Sequence, residues 1–349
     1  MKIELVWFDS MGAKSSSVLV ITDDVNVLID PGVAIMHPSF PAPDEHKRAW
    51  LQEGRVRIRR AAEQADIVVI THYHYDHFTD FDKQIYEGKL VLVKNPNEYI
   101  NDSQRQRALR FYGNMCEAFG YRLEELLEKP VKKKWRDPYL DLKHAQSVDF
   151  GDYSERKAEL LEKGREWFRR RAEKWSSYKR IPELELGAVK VKFPEGRSFR
   201  FGSTTLRFTG PMFHGIEYSR VGWVFEVIVE SGGEKLLYTS DLNGPIIEDY
   251  ADWIIRENPD ILILDGPMTY MLGYTLNLIN LRRCIENAVR IIEETDTKLI
   301  IYDHHLPREP KFRERTRPVW DAAKRAKKTL TTASEYLGLK PAVHRFLDS

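Results

Sequence analysis

The 349-residue chain has only two cysteines, Cys116 and Cys284, each alone in a helical-looking stretch. That scarcity excludes a disulfide framework and a cysteine-based zinc site. Long apolar runs are also lacking: none approaches the ~18–20 residues that a membrane span needs. Charge of one sign is missing too, with 54 Lys+Arg against 53 Asp+Glu and a net +1. Global attraction to nucleic acid or anionic lipid is therefore not indicated, and only local patches could supply it. There is no Gly-rich phosphate loop, no 20–50-residue repeat and no low-complexity tract. Neither serine nor cysteine stands in the surroundings of a nucleophile, and Ser15-Ser16-Ser17 reads as a turn or strand start. Residues 1–7 read as a strand rather than a signal peptide, so the expectation is a cytoplasmic protein that makes no membrane contact. What is present, 42% hydrophobic and 11% aromatic residues, suffices to bury a full core.

Short apolar runs bounded by turns predict strands over 3–8, 17–21, 25–29, 67–70 and 90–93, with a helix over 50–65 among them. Asn95-Pro96 breaks the last of these strands. From there to about residue 184 strand-like runs vanish and charged helical segments take over, among them 122–128 and 155–175. Glu159 with Lys163 and Glu166 with Arg170 are i,i+4 pairs in the favourable order. Strands resume over 198–201, 205–208, 223–229 and 235–239. Two more, 261–264 and 298–302, alternate with helices at 249–257 and 282–293, and a closing helix is predicted over 318–337. The expected class is α/β, with one domain over 1–349, a sheet-on-sheet core clothed by helices, and a helical insertion over 97–184.

The sharpest signal is Thr71-His72-Tyr73-His74-Tyr75-Asp76-His77, which begins where an apolar strand leaves the sheet. In extended backbone His72 and His74 point the same way, and Asp76 and His77 lie one turn further on. Imidazole and carboxylate in this order suit one divalent transition metal, or two; the plain alternative is a histidine-rich loop. Three later positions also follow strand-like runs: His214, Asp241 and the pair His304-His305. Singly each reads as a cap or turn residue, but together six of the ten histidines fall at strand ends. Asp265, before Gly266-Pro267, reads either as a cap or as a residue within reach of the site. His37, His46, His144 and His344 have no partners at ligand spacing, so surface or packing roles are expected.

This pattern resembles the metallo-β-lactamase superfamily of metal-dependent hydrolases over most of the chain apart from the insertion, and within it an archaeal branch of metallo-hydrolase-like proteins. The resemblance implies an αββα sandwich. It implies that His72, His74 and His214 hold one metal, that Asp76, His77 and a histidine of the last motif hold a second, and that Asp241 bridges them. Asp30 matches the family's early strand-end Asp that braces the ligands, although Asp30-Pro31-Gly32 also reads as a plain turn. His304-His305-Leu306-Pro307-Arg308 is similar to the His-Phe-Ser-Pro-Arg run of the family's transfer-RNA-processing ribonucleases. That comparison makes His304 the ligand and His305 the acid that protonates a leaving group, with Asp76 and His305 as the catalytic pair.

Zinc is the expected metal, and iron and manganese accept the same ligands. The implied reaction is attack of a metal-bridging hydroxide on a small anionic substrate, a phosphate ester first, with nucleic acid as the larger candidate partner. The alternatives are hydrolysis of a lactone, thioester or amide, and a metal-bearing scaffold that binds a protein or nucleic acid. Between 154 and 180 ten basic residues face five acidic ones, interleaved with Trp167, Phe168 and Trp175. This segment reads as an amphipathic helix with its aromatics in the core, or as a lid steering an anion toward the metals.

Overall fold

Every residue of Ile67-Val68-Val69-Ile70 is buried, as a strand covered on both faces requires. The computed structural model describes residues 1–346; the last three residues of the domain expected over 1–349 lie outside them. Sixteen strands are found among the described residues. They are β1 (Lys2–Phe8), β2 (Ser16–Ile21), β3 (Asn26–Ile29), β4 (Ile67–Ile70), β5 (Leu90–Val93), β6 (Leu184–Leu186), β7 (Val189–Lys192), β8 (Ser198–Phe201), β9 (Thr204–Phe208), β10 (Met212–Phe213), β11 (Trp223–Val224), β12 (Val227–Ser231), β13 (Glu234–Tyr238), β14 (Ile261–Asp265), β15 (Leu299–Asp303) and β16 (Thr329–Thr331). One seven-stranded sheet runs β1-β2-β3-β4-β5-β7-β6 and the other β16-β15-β14-β13-β12-β9-β8, with β10-β11 as a separate ribbon.

Helix α1 (Asp44–Gln64) packs on β1 and β3, where Gly54 lets Trp7 and Val33 approach. Two short helices, α2 (Lys83–Tyr86) and α4 (Leu123–Leu126), flank α3 (Asp102–Ala118) in sequence. They are followed by α5 (Lys143–Ser147) and α6 (Ser154–Ser177). In the second half, α7 (Glu248–Glu257) packs on α8 (Leu278–Glu294), and α8 packs on α10 (Arg317–Ala326). The chain closes through α9 (Phe312–Arg315), just before α10, and α11 (Ala333–Tyr336). One apolar cluster joins residues of both sheets, from Val18 and Val68 to Val229 and Ile301, so the architecture is the expected αββα sandwich. No helix among the described residues is long and apolar enough to cross a membrane.

Three expectations are corrected. The apolar run 223–229 is not one strand: β11 pairs with β10, whereas β12 pairs with β9 and β13, and Phe225-Glu226 crosses between sheets. The helix expected over 318–337 stops at Lys327, a left-handed cap with φ 55°. Thr329-Leu330-Thr331 then pairs in parallel with β15, because β-branched threonines suit a strand better than a helix interior. Thr332 and Glu335 form a capping box that starts α11. Finally, strands resume before the expected 198: β6 and β7 form an antiparallel hairpin with alternating buried and exposed residues.

Because β7 pairs in parallel with β5, the chain between them leaves one sheet edge and returns to it. Within α6, Phe168 and Trp175 are buried and Trp167 packs against the core. Trp167 stacks on Trp223 at 5.2 Å, Trp175 meets the same ring at 5.4 Å, and Phe168 packs on Trp175 at 5.7 Å. Each such pair is worth about 0.5–1.5 kcal/mol beyond its buried area. Trp223 pairs with Phe213 across the β10-β11 ribbon, so α6 grips the ribbon that carries His214. Arg171 is buried and forks onto Asp102 at 2.6 and 2.7 Å, a structural ion pair rather than a substrate contact.

Candidate metal centre

The candidate ligands sit where parallel strands end. Asp30 follows β3, His72–His77 follow β4, Asp241 follows β13, and His304-His305 follow β15. Strands β3-β4-β5 and β13-β14-β15 are parallel, so these loops leave the carboxyl ends of both sheets. His214 comes from the β10-β11 ribbon instead. Asp30, Ser240, His304 and His305 all have positive φ, at 50°, 58°, 38° and 57°. None is glycine, and the left-handed conformation costs such residues roughly 1–2 kcal/mol each. The clustering of four of them at one place marks a site that the surrounding fold holds against local preference.

One oxygen is the focus. Asp241 Oδ2 lies 2.9 Å from His214 Nε2, 3.7 Å from both His77 Nε2 and His304 Nε2, and 3.8 Å from His72 Nε2. His72 Nε2 is 3.0 Å from His74 Nδ1, and His77 Nε2 is 3.0 Å from His304 Nε2. Donor atoms of His72, His74, His214 and Asp241 lie within 4.8 Å of one another, and so do those of Asp76, His77 and His304. The structure thus brings together all seven residues expected to bind metal. His305 approaches the other oxygen, with Nδ1 3.4 Å from Asp241 Oδ1.

Four imidazole nitrogens around one carboxylate oxygen exceed the roughly two hydrogen bonds it can accept. His214 Nε2, Asp241 Oδ1 and His305 Nδ1 are buried without any hydrogen-bond partner; the 2.9 Å approach of His214 to Asp241 is off the hydrogen-bonding direction. These orphaned atoms fit divalent cations.

The far side of each ring supports that reading. His77 Nδ1 donates to Asp30 Oδ2 at 2.7 Å, and His304 Nδ1 faces Ser15 O at 3.3 Å and Asp9 Oδ1 at 3.4 Å. His72 Nδ1 lies 3.2 Å from Thr71 Oγ1, which itself donates to Asp30 Oδ2. Each of these rings therefore keeps a proton on Nδ1 and turns Nε2 to the centre. Asn243 does the same for His214, 3.0 Å away, when its amide is turned so that Oδ1 faces Nδ1–H; the opposite orientation leaves Oδ1 buried and unpartnered.

Burial, reinforced by His77 and His74, holds the His72 pKa well below the ordinary range, and burial with His214 brings His74 down to about 3. Both are thus kept neutral, as ligands must be. Burial would also neutralise His304, but Asp9 and Asp241 outweigh it and hold its pKa well above the usual value. A cation at Nε2 would displace that proton while Nδ1–H kept its acceptors.

Asp30 is fully buried and accepts from Thr71 N, Thr71 Oγ1, His77 Nδ1 and Tyr238 Oη at 2.7–2.8 Å. Asn at this position could not accept all four. Asp30→Asn should weaken metal affinity by about 10–100-fold, as loss of such supporting carboxylates does. Competition with a chelator of known affinity measures this, and an unchanged affinity would reduce Asp30 to a turn residue.

Sequence reasoning missed the groups that hold the His304-His305 turn. Asp9 accepts from Ser15 N at 2.9 Å and His305 N at 2.7 Å and pairs with Arg308; Asp303 accepts from Ser10 N, His304 N and Ala333 N. Arg308 also reaches Asp76 at 3.4 Å. Asp9 was findable, since it ends an apolar strand as Asp30 and Asp303 do. Asp265 accepts from Gly244 N at 3.0 Å, bracing the loop after Asp241, and its Oδ2 lies 4.0 Å from His305 Nδ1, within reach of the site. Of the remaining histidines, His144 pairs with Asp252 at 2.8 Å, His46 packs on Trp50, and His344 stacks on Phe312. Beside His214 lies a cavity of about 130 Å³ lined by Ile216, Val221, Ile246, Leu276 and Asn280 among others, without a charged residue.

A family model described as the metallo-beta-lactamase superfamily matches residues 12–108, which include Asp30 and the His72–His77 loop. With the αββα layers and the strand-end ligand cluster, this defines a metallo-β-lactamase superfamily protein. Within it the chain belongs to the UPF0282 family. It is 32% identical over 329 residues to the UPF0282 protein of Korarchaeum cryptofilum, covering 94% of this chain and 86% of that one. Identity to the Methanopyrus kandleri member is 30% over 351 residues, with 97% and 94% covered. Among solved structures, the metallo-beta-lactamase fold protein YhfI from Bacillus subtilis matches 91% of this chain and 88% of its own, at 15% identity and a TM-score of 0.42.

Proposed function

We propose that the protein is a metal-dependent hydrolase with two divalent transition-metal ions, acting on a small anionic substrate, a phosphate ester first. His72, His74 and His214 would hold one ion, Asp76, His77 and His304 the other, with Asp241 between them. Zinc suits this donor set, and so do iron and manganese. Such ions, when bound, supply Lewis acidity and bring the pKa of water toward neutrality. The chain's part is to hold the nitrogens deprotonated, to support His72, His77, His214 and His304 from behind at Nδ1, and to keep bulk water away from the buried ones. The convergence of four imidazoles on Asp241 Oδ2 is the observation that carries this reading.

The mouth of the site is formed by the half-buried His74, Tyr75 and Asp76. Arg107 and Arg110 of α3 stand beside it, bonded to Tyr73 O and Tyr75 Oη at 2.8 Å. These cations favour an anion, and they support reading the insertion as a lid over the site. The uncharged cavity beside His214 favours a second reading, hydrolysis of a lactone, thioester or amide with a small neutral group.

Reconstitution with zinc, iron or manganese followed by elemental analysis should give up to two ions per chain. Turnover of phosphomonoesters and phosphodiesters should exceed that of thioesters and lactones. Absence of bound metal sinks the proposal, and turnover confined to uncharged substrates moves it to the second reading. His304→Ala should lower metal occupancy, whereas His305→Ala should leave occupancy intact and slow turnover. The reverse pattern would transfer the ligand role to His305.

A further inference from the structure

Lys14 follows the turn after β1 and is fixed by paired backbone bonds to Ala34, at 2.8 and 2.9 Å. Its neighbour Ser15 donates from N to Asp9 and offers its carbonyl to His304, so Lys14 stands one residue from the ligand cage. The Lys14 ammonium is half-buried, and no carboxylate lies within ion-pair distance of it among the described residues. The carboxylates that could neutralise it, Asp9 and Asp76, are already engaged by Arg308.

Three more groups gather at this rim. Arg308 Nη1 donates to Tyr270 Oη at 3.1 Å, which leaves the phenol proton free to donate. The His37 ring stacks on Tyr270 at 5.1 Å with a 10° tilt. His37 Nδ1 is 2.8 Å from Ser39 Oγ, while Nε2 is buried without a partner.

We propose that Lys14, with the phenol of Tyr270 and Nε2 of His37, forms a subsite for an oxyanion group of the substrate, phosphoryl or carboxylate, on the Asp76 side of the metal cage. Two cations held near each other with one of them unpaired cost stability unless an anion joins them. Burial and the field of Arg308 both lower the Lys14 pKa, and burial with Arg308 and Lys14 brings His37 down to about 4. An anion would relieve both. An orphaned ring nitrogen supplies a ready donor. The subsite rests on the metal-centre reading only for the position of the scissile bond.

Binding of inorganic phosphate and of acetate to the metal-loaded protein, followed by calorimetry in low-salt buffer, tests this. Lys14→Met should weaken the preferred anion by about 10-fold or more, with metal content and thermal midpoint unchanged, and Lys14→Arg should retain most of the affinity. His37→Phe, which keeps the stack and removes Nε2, should weaken binding by a smaller factor. Preference for phosphate over acetate assigns a phosphoryl group, and the reverse a carboxylate. Equal anion affinity in wild type and Lys14→Met overturns the subsite, as does binding of neither anion by wild type. Loss of metal together with anion affinity in Lys14→Met overturns it too, making Lys14 structural. If wild type binds no metal but Lys14 still governs anion binding, the metal-centre reading fails and the subsite stands.

Discussion

Asp241→Ala should lose at least one metal ion per chain and more than about 100-fold in turnover. Loss of a supporting group behind a ligand already costs roughly 10–100-fold in metal affinity or activity, and Asp241 stands at the centre of the cage. Its Oδ2 lies within 3.8 Å of four imidazole Nε2 atoms. Burial opposes its charge, but His214 and His305 outweigh that and hold its carboxyl well below the usual range. The residue is therefore an anion throughout the physiological range. Asp241→Asn separates shape from charge: it fills the same volume, yet should still lose metal because a neutral amide oxygen does not offset two dications. Elemental analysis with circular dichroism as the check on folding decides the matter. Wild-type metal content in Asp241→Ala would overturn the bridging role.

Gly32→Ala should be nearly as damaging, although glycine contributes no chemistry. A Cβ at this position would come within 2.2 Å of Phe78 N and 2.5 Å of His77 N and C, all of them backbone atoms that no rotamer change can move. Thr79 Oγ1 bonds Pro31 O at 2.7 Å and Ser15 Oγ bonds Gly32 O at 2.6 Å, so the two loops are clasped at this point. Overpacking costs about 1–3 kcal/mol where side chains can yield, and here the loop bearing His72–His77 must shift instead. The expected result is a loss of at least 2–3 kcal/mol of stability, on the same scale, together with weakened metal binding. Gly113→Ala is the control: it lies inside α3 with nothing within 4 Å of the added carbon, and should be neutral or stabilising by up to about 1 kcal/mol. Denaturant titration of both variants checks the pair. Equal stability of Gly32→Ala and wild type would mean that the two loops are not held in contact.

The strand-end placement of residues 71–77 is legible in the sequence because the pattern is local. A buried apolar strand, a strand end and four potential ligands follow one another within a few residues, and the spacing alone decides which side chains can share a face. The same holds for the strand-end positions of His214, Asp241 and His304, and for the helical character of α6. What the sequence cannot decide is what each buried face is buried against. The run 223–229 is apolar throughout, yet its two ends belong to different sheets, since apolarity reports burial and not the pairing partner. The aromatics of α6 read equally well as a substrate platform and as core until Trp223 is seen beneath them.

Asp9 and Arg308 are 299 positions apart and meet only because β1 and β15 deliver their loops to the same end of the sandwich. The sequence by itself determined the candidate ligand types, their order along the chain and the α/β class, all of which follow from short-range periodicity and side-chain chemistry. The tertiary structure decided the single oxygen on which the histidines converge, the Nδ1 partners of His72, His77, His214 and His304, and the unpaired charge of Lys14. Those depend on distances across the fold and on desolvation, which acts on a side chain only after every neighbouring element has packed against it.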